Sequence, residues 1–137
     1  MTQEPAAPGV AWMAIIRRPT LDDFAAAFTA DVVLETSASD GAVRGTAAIR
    51  RFFDATRAMY DGIAFVHETS AASRTVLEWE GVFRGAPIAG ATILAYDGEG
   101  RIAGIRLYQR PCSQVAAFSS ELAARLQGRA GTGIFTR

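Results

Sequence analysis

Between Arg74 and Arg110 the apolar and polar positions fall into three strand patterns. Two turns separate them, Arg84-Gly85-Ala86-Pro87 and Asp97-Gly98-Glu99-Gly100. Gly, Pro and Asp tolerate turn dihedrals, so these clusters end strands. In the first strand, Leu77, Trp79, Gly81 and Phe83 share one face, and Glu78 and Glu80 the other, because successive strand side chains point to opposite sides. The middle strand, Ala91-Thr92-Ile93-Leu94-Ala95-Tyr96, is nearly apolar on both faces and predicts cover on both.

Helical spacing dominates the first part of the chain. Val10 to Arg18 predicts a helix that Pro19 ends. Thr20 is positioned to cap a second helix, with Asp22 and Asp23 in its first turn, where the helix dipole favours them. Leu21, Phe24, Ala25 and Phe28 form its apolar stripe, and Asp31 closes it. Val32 to Thr36 predicts a short strand, and Ser37 to Arg44 a polar loop turning at Asp40-Gly41. Thr46 is the expected cap of a third helix, which carries Ile49, Phe52, Phe53, Thr56 and Tyr60 on one face and stops at Asp61-Gly62. Ile63 to Thr69 predicts the next strand, and Ala71-Ala72-Ser73 leads into the meander. Beyond Pro111, Ser113 is the expected cap of a last helix with Val115, Phe118, Leu122 and Leu126 on one face, ended by Gly128. Residues 1–9 predict a flexible arm, 10–128 a single domain and 129–137 a flexible tail.

Helices followed by a run of strands predict an α+β fold. The expected form is a cone-shaped α+β barrel: a strongly curved antiparallel sheet wrapped around the N-terminal helices, plus a C-terminal helix. Such a bend leaves a conical cavity, the kind of place ligands occupy.

Composition narrows the partners. All 14 basic residues are arginine, and the chain has no lysine and no asparagine. With abundant alanine, that is the signature of a GC-rich, bacterial genome. Formal net charge is zero, and no basic patch separates from the acidic residues, so no nucleic-acid partner is expected. Cys112 is the sole cysteine and forms no intramolecular disulfide. A nucleophilic cysteine needs a base and a positive environment, and the sequence places neither. No apolar run approaches the ~20 residues of a membrane span. Arg17-Arg18 follow the short apolar stretch Val10 to Ile16, the reverse of a secretory signal. The expectation is a cytoplasmic protein with no membrane partner. One histidine and no inward carboxylate cluster cannot supply a metal's ligand set, so neither metal nor cofactor is expected.

Three stretches carry a family resemblance: F-A-A-A-F-T-A-D-V-V-L-E-T from Phe24, G-T-A-A-I-R-R-F-F from Gly45 and Y-D-G-E-G-R-I from Tyr96. In order and spacing the chain resembles the nuclear transport factor 2-like superfamily, above all its bacterial SnoaL-like members, from about Val10 to Pro111. The resemblance implies the cone-shaped fold. It leaves function open, because the fold hosts isomerases, dehydratases, cyclases, epoxide hydrolases and binding proteins. In the steroid isomerase-like members an Asp base works with a Tyr and a protonated Asp. Alignment puts Trp12 at the Tyr position, Thr36 at the base and Thr92 at the protonated Asp, so none is retained. A threonine hydroxyl has no useful basicity at neutral pH, and steroid-type isomerisation is not expected. Scytalone dehydratase-like chemistry uses two histidines, and this chain has one. Limonene epoxide hydrolase-like chemistry needs two inward carboxylates, and none is found on the meander's inner face.

The same alignment predicts which residues face the cavity. Trp12, Phe28 and Phe53 come from the helices. Trp79, Thr92 and Gln109 come from the meander, and Thr36 and His67 from other strands. Gly81 and Gly90 should leave room beside Trp79. His67, on the face of Ile63 and Phe65 by simple alternation, is the best candidate general acid or base, against the plain alternative of a rim histidine bonded to backbone or solvent. The mixture suits a small hydrophobic ligand, and a core filled by side chains is the alternative.

On the outer face, Ala91, Ile93 and Ala95 form an apolar patch with Glu78, Arg106 and Tyr108 around it, an arrangement with interface character, which predicts a homodimer; the C-terminal helix covering that patch is the alternative. The functional expectation is a small-molecule-binding domain of lyase, isomerase or cyclase type. The alternatives are a non-catalytic carrier or sensor, or a dimeric interaction module.

Overall fold

Three consecutive tight turns build the sheet. A computed structural model describes residues 7–17 and 22–126. Its elements are α1 (Val10–Ile16), α2 (Asp22–Ala26), β1 (Phe28–Thr36), β2 (Val43–Arg44), α3 (Thr46–Thr56), β3 (Gly62–Ala71), β4 (Arg74–Phe83), β5 (Ala86–Tyr96), β6 (Ile102–Arg110) and α4 (Cys112–Arg125). Strands β3 to β6 form an antiparallel meander, and β1 adds to the free edge of β6 in parallel. The six-stranded order is β2-β1-β6-β5-β4-β3. The architecture is the expected curved α+β cone.

Local chemistry sets the turns. Arg84 and Gly85 both take positive φ, 51° and 77°, so the β4–β5 connection is the two-residue hairpin whose twist matches its strands. It is tighter than the four-residue turn read from sequence. At the β5–β6 turn, Asp97 Oδ1 accepts N–H bonds from Glu99 and Arg101, each at 2.9 Å. The bond from Arg101, helped by that from Glu99, holds the Asp97 carboxyl below its ordinary range. The stability it contributes is present above the ordinary aspartate pKa and fades as pH falls through the depressed one.

Several boundaries differ from the sequence expectation. The second helix stops at Ala26, and Phe28 to Asp31 are strand rather than helix. The spacing of F-A-A-A-F is helical, but Phe28 pairs with Ile102 of β6, and tertiary pairing overrides local propensity. Val43 and Arg44 leave the expected loop to pair with β1. The third helix ends at Thr56, ahead of Asp61-Gly62, and Gly62 opens β3. Thr46 does not cap it: Gly45 occupies the cap position, and Thr46 Oγ1 donates to the Thr29 carbonyl at 3.2 Å. Ser113 likewise caps nothing, because the last helix starts after Pro111. The expected roles of Thr20 and Gly128, the 129–137 tail and most of the 1–9 arm lie outside the described residues. Within that arm, Gly9 is buried and its N–H donates to Glu68 Oε1 at 2.9 Å.

The core fills the concave side. Leu34, Leu77, Phe83, Ile88, Leu94 and Ile105 of the sheet meet Phe24, Ile49, Phe52 and Phe118 of the helices. Helix α4 seats there as well. Gln114 Nε2 donates to the carbonyls of Phe83 and Ala86 at 2.7 and 3.0 Å, and Ser119 Oγ donates to the Ala38 carbonyl at 2.7 Å. It therefore does not shield the convex side, where Glu78, Arg106 and Tyr108 are exposed and Ile93 is half-buried.

Candidate functional site

A cavity of about 300 Å³ remains between α1, α3, α4 and the concave face of the sheet. Most of its wall is apolar. Trp12 meets Phe53 edge-on, with ring centroids 5.3 Å apart and planes at 83°. Trp79 meets Tyr60 in the same way at 5.6 Å and 79°, and Phe118 packs on Tyr60 at a tilt of 37°, with centroids 5.2 Å apart. Such edge-to-face aromatic contacts hold rings in fixed orientations.

Of the residues expected at the site, Trp12, Thr36, Phe53, Trp79, Thr92 and Gln109 line this cavity. Phe28 does not. It is buried behind Trp12, with ring centroids 6.3 Å apart, and belongs to the core. His67 does not either, and the reason is a β-bulge. Phe65 pairs with Trp79, but His67 pairs with Glu78, so the register slips between them. One extra residue turns every later side chain to the opposite face. His67 is exposed and shares a cross-strand pair with outward Glu78. The general acid or base expected there is thus removed from the cavity.

The glycines act differently from the expectation too. Gly90 leaves no room beside the indole: a Cβ there would sit 2.7 Å from Trp79 Cζ2 and overlap the Tyr108 carbonyl oxygen. Gly81 lies against the β3 backbone, where a Cβ would be 2.6 Å from the Gly62 carbonyl oxygen. Both let chain segments approach closely rather than enlarge the hollow.

The polar centre is a pair that sequence reasoning only half identified. Gln109 Nε2 donates to Tyr60 Oη at 2.7 Å. Having accepted that bond, Tyr60 keeps its own proton to give. Gln109 Oε1 is buried and has no partner among the described residues, so it offers an acceptor. The dyad presents one donor and one acceptor, and the Gln109 bond polarises Tyr60 toward donation. Nearby, Thr36 Oγ1 accepts from the Ala38 N–H at 3.1 Å, which leaves its hydroxyl proton free, and Thr92 is 2% exposed. Tyr60 was read only as the end of a helical stripe. Its place beyond α3, after a turn closed by Met59 N–H to the Thr56 carbonyl, aims it inward.

Burial pushes the Tyr60 hydroxyl well above the ordinary tyrosine range, and the Gln109 bond pulls weakly the other way. A raised pKa contributes stability that is fully present below the unfolded value near ~10 and is lost as pH rises beyond it. Part of the tyrosinate absorbance should therefore appear only together with alkaline unfolding. A single smooth titration well before unfolding would contradict the buried environment.

No carboxylate or imidazole lines the cavity among the described residues. The charged lining residues are Arg17 and Arg57, both exposed at its mouth. No cluster of His, Cys, Asp and Glu suited to a metal occurs among the described residues, and no described helix is long and apolar enough to cross a membrane.

A curved sheet closed by helices around an apolar hollow defines the class, and family matching gives its name. Residues 10–110 match the SnoaL-like domain, so the chain belongs to the SnoaL-like family. No curated protein matches it. Among solved structures it is similar to a steroid delta-isomerase from Pseudomonas aeruginosa, at 20% identity over 85% of this chain and 86% of that one, with a TM-score of 0.76. It is also similar to an uncharacterized protein with a cystatin-like fold from Silicibacter pomeroyi, at 15% identity over 90% and 89% of the two chains, TM-score 0.79. A third likeness is to the epoxide hydrolase/cyclase-like enzyme SalBIII of pyran ring formation, at 14% identity over 73% and 85%, TM-score 0.59. At these identities the likeness is one of fold.

Proposed function

We propose that this chain binds a small, mostly apolar molecule through one oxygen function seated on the Tyr60–Gln109 dyad, and that it is an isomerase or cyclase of the SnoaL-like type. The orphaned Gln109 Oε1 carries the reading. A buried acceptor without a partner is costly, and a ligand hydroxyl would satisfy it while taking the Tyr60 proton in a second bond. Neighbours named steroid delta-isomerase and epoxide hydrolase/cyclase-like enzyme support the class. No lining side chain among the described residues has the basicity for carbon-acid proton abstraction, so the chain would contribute shape and one well-placed donor to an oxygen gaining charge. That same lack of a base favours a carrier as the second reading.

Mass spectrometry of compounds that co-purify with the protein supplies the ligand. Tyr60→Phe should weaken its binding about 10-fold, the worth of one strong hydrogen bond. Unchanged affinity would reject the dyad as its seat. Turnover of the compound by the native protein, slowed in Tyr60→Phe, marks an enzyme. Binding without turnover marks a carrier.

The proposal extends to quaternary structure: a homodimer through the convex face of the sheet at Glu78, Ile93, Arg106 and Tyr108. Tyr108 is 48% exposed there, and Arg106 reaches Glu35 at 3.4 Å, which makes a mixed-charge rim around apolar residues. Light scattering behind a sizing column should give twice the chain mass, and a monomer at micromolar concentration would remove this face from consideration.

A further inference from the structure

Among the described residues, the charged side chains that line the cavity are both arginines and stand at its mouth. Arg17 follows α1 and Arg57 follows α3, and Arg57 Nη1 donates to the Arg17 carbonyl at 3.3 Å. That bond ties the two helix ends together. Arg57 also binds Asp54 Oδ1 through Nε and Nη2, at 3.1 and 2.9 Å. No described carboxylate pairs with Arg17. Among the described side chains there, two guanidiniums and one carboxylate leave a single net positive charge at an opening whose walls are apolar. Walls of low dielectric focus such a field on whatever enters.

We infer that the ligand is an amphipathic monoanion, a carboxylic acid with an apolar body. The inference rests on the binding reading above. Its carboxylate stays at the rim, against Arg17 and the outer edge of Arg57. Its body lies between Trp12, Phe53 and Trp79, and a second oxygen further along reaches Tyr60 and Gln109. A carboxylate suits the site because guanidinium donors match its two oxygens, and because one net charge calls for one. Leaving the carboxylate at the wet rim spares it the large cost of full desolvation. A neutral ligand of the same shape would leave the rim's field unused.

Trp12 and Trp79 are the chain's two tryptophans, and both line the cavity. Their emission reports its occupancy directly. Decanoate and decan-1-ol, titrated below their aggregation limits, serve as matched probes. Decanoate should bind at least about 5-fold more tightly at low salt, and the gap should close in about 0.5 M salt, where charges are screened over a few ångströms. Arg17→Gln should weaken decanoate about 3- to 10-fold and leave decan-1-ol unchanged, and Arg57→Gln, which also loses its bond to the Arg17 carbonyl, should weaken decanoate by more than it weakens decan-1-ol. Equal binding of acid and alcohol to the native protein, or equal losses in the variants, would overturn the inference and leave the binding reading standing. If neither probe alters the emission, the inference and the binding reading both fail.

Discussion

Gly90→Ala should destabilise the fold by at least about 3 kcal/mol, the upper range for an overpacked core and beyond, because backbone as well as side chain stands in the way. Gly90 lies in β5 between Trp79 of β4 and Gln109 of β6. The added methyl would overlap the Tyr108 carbonyl oxygen and press on the indole at 2.7 and 3.0 Å. The carbonyl belongs to a strand hydrogen-bonded into the sheet and cannot retreat alone. The indole is 4% exposed and is pinned by Tyr60. Gly98→Ala is the matched control: nothing lies within 4 Å of its would-be Cβ, and surface substitutions of that kind change stability by about 0.5 kcal/mol or less. Urea unfolding of both variants decides the point. Equal midpoints would mean that β4, β5 and β6 are less tightly apposed at Gly90 than described.

Phe118→Ala should cost about 3–5 kcal/mol, a large share of the total stability of a domain this size. Phe118 is 1% exposed and meets Phe83 edge-on and Tyr60 at a tilt, both at 5.2 Å. It is the residue by which α4 lines and closes the cavity. Its loss would leave Tyr60 with a wall on the Trp79 side only, so the dyad would loosen as stability fell. Phe118→Leu keeps most of the volume and should cost less than about 1.5 kcal/mol. If the alanine variant unfolds in urea with a native-like midpoint, α4 is not the closure.

The meander was legible because its physics is local. Alternation in β4, a doubly apolar β5 and Gly- or Asp-containing turns mark the three strands and their ends. Alternation groups Leu77, Trp79 and Phe83 on one face of β4, while the inward facing of Thr92 and Gln109 came from the family alignment. Trp12 and Thr36 came from the family resemblance, since no local pattern points a helix residue and a distant strand residue at one spot. Tyr60 was not legible as a site residue. Its spacing continues the α3 stripe, and only the end of the helix at Thr56 turns it toward Gln109. His67 failed for the opposite reason. The run Ile63-Ala64-Phe65-Val66-His67 shows perfect two-residue spacing, and nothing in it announces the slip that reverses His67. Phe28 read as helix because its β partner, Ile102, is remote in the chain.

That last pairing bears on how the molecule is made. During synthesis β1 leaves the ribosome early, yet the edge it needs belongs to β6, the last strand translated. Until residues 102–110 emerge, an apolar ribbon with free amides waits without its neighbour, open to chaperones or to wrong pairings. Closing so long a loop is slow for topological reasons. Nascent chains stalled before Ile102 should be protease-sensitive throughout β1, and release of the remaining strand should protect it.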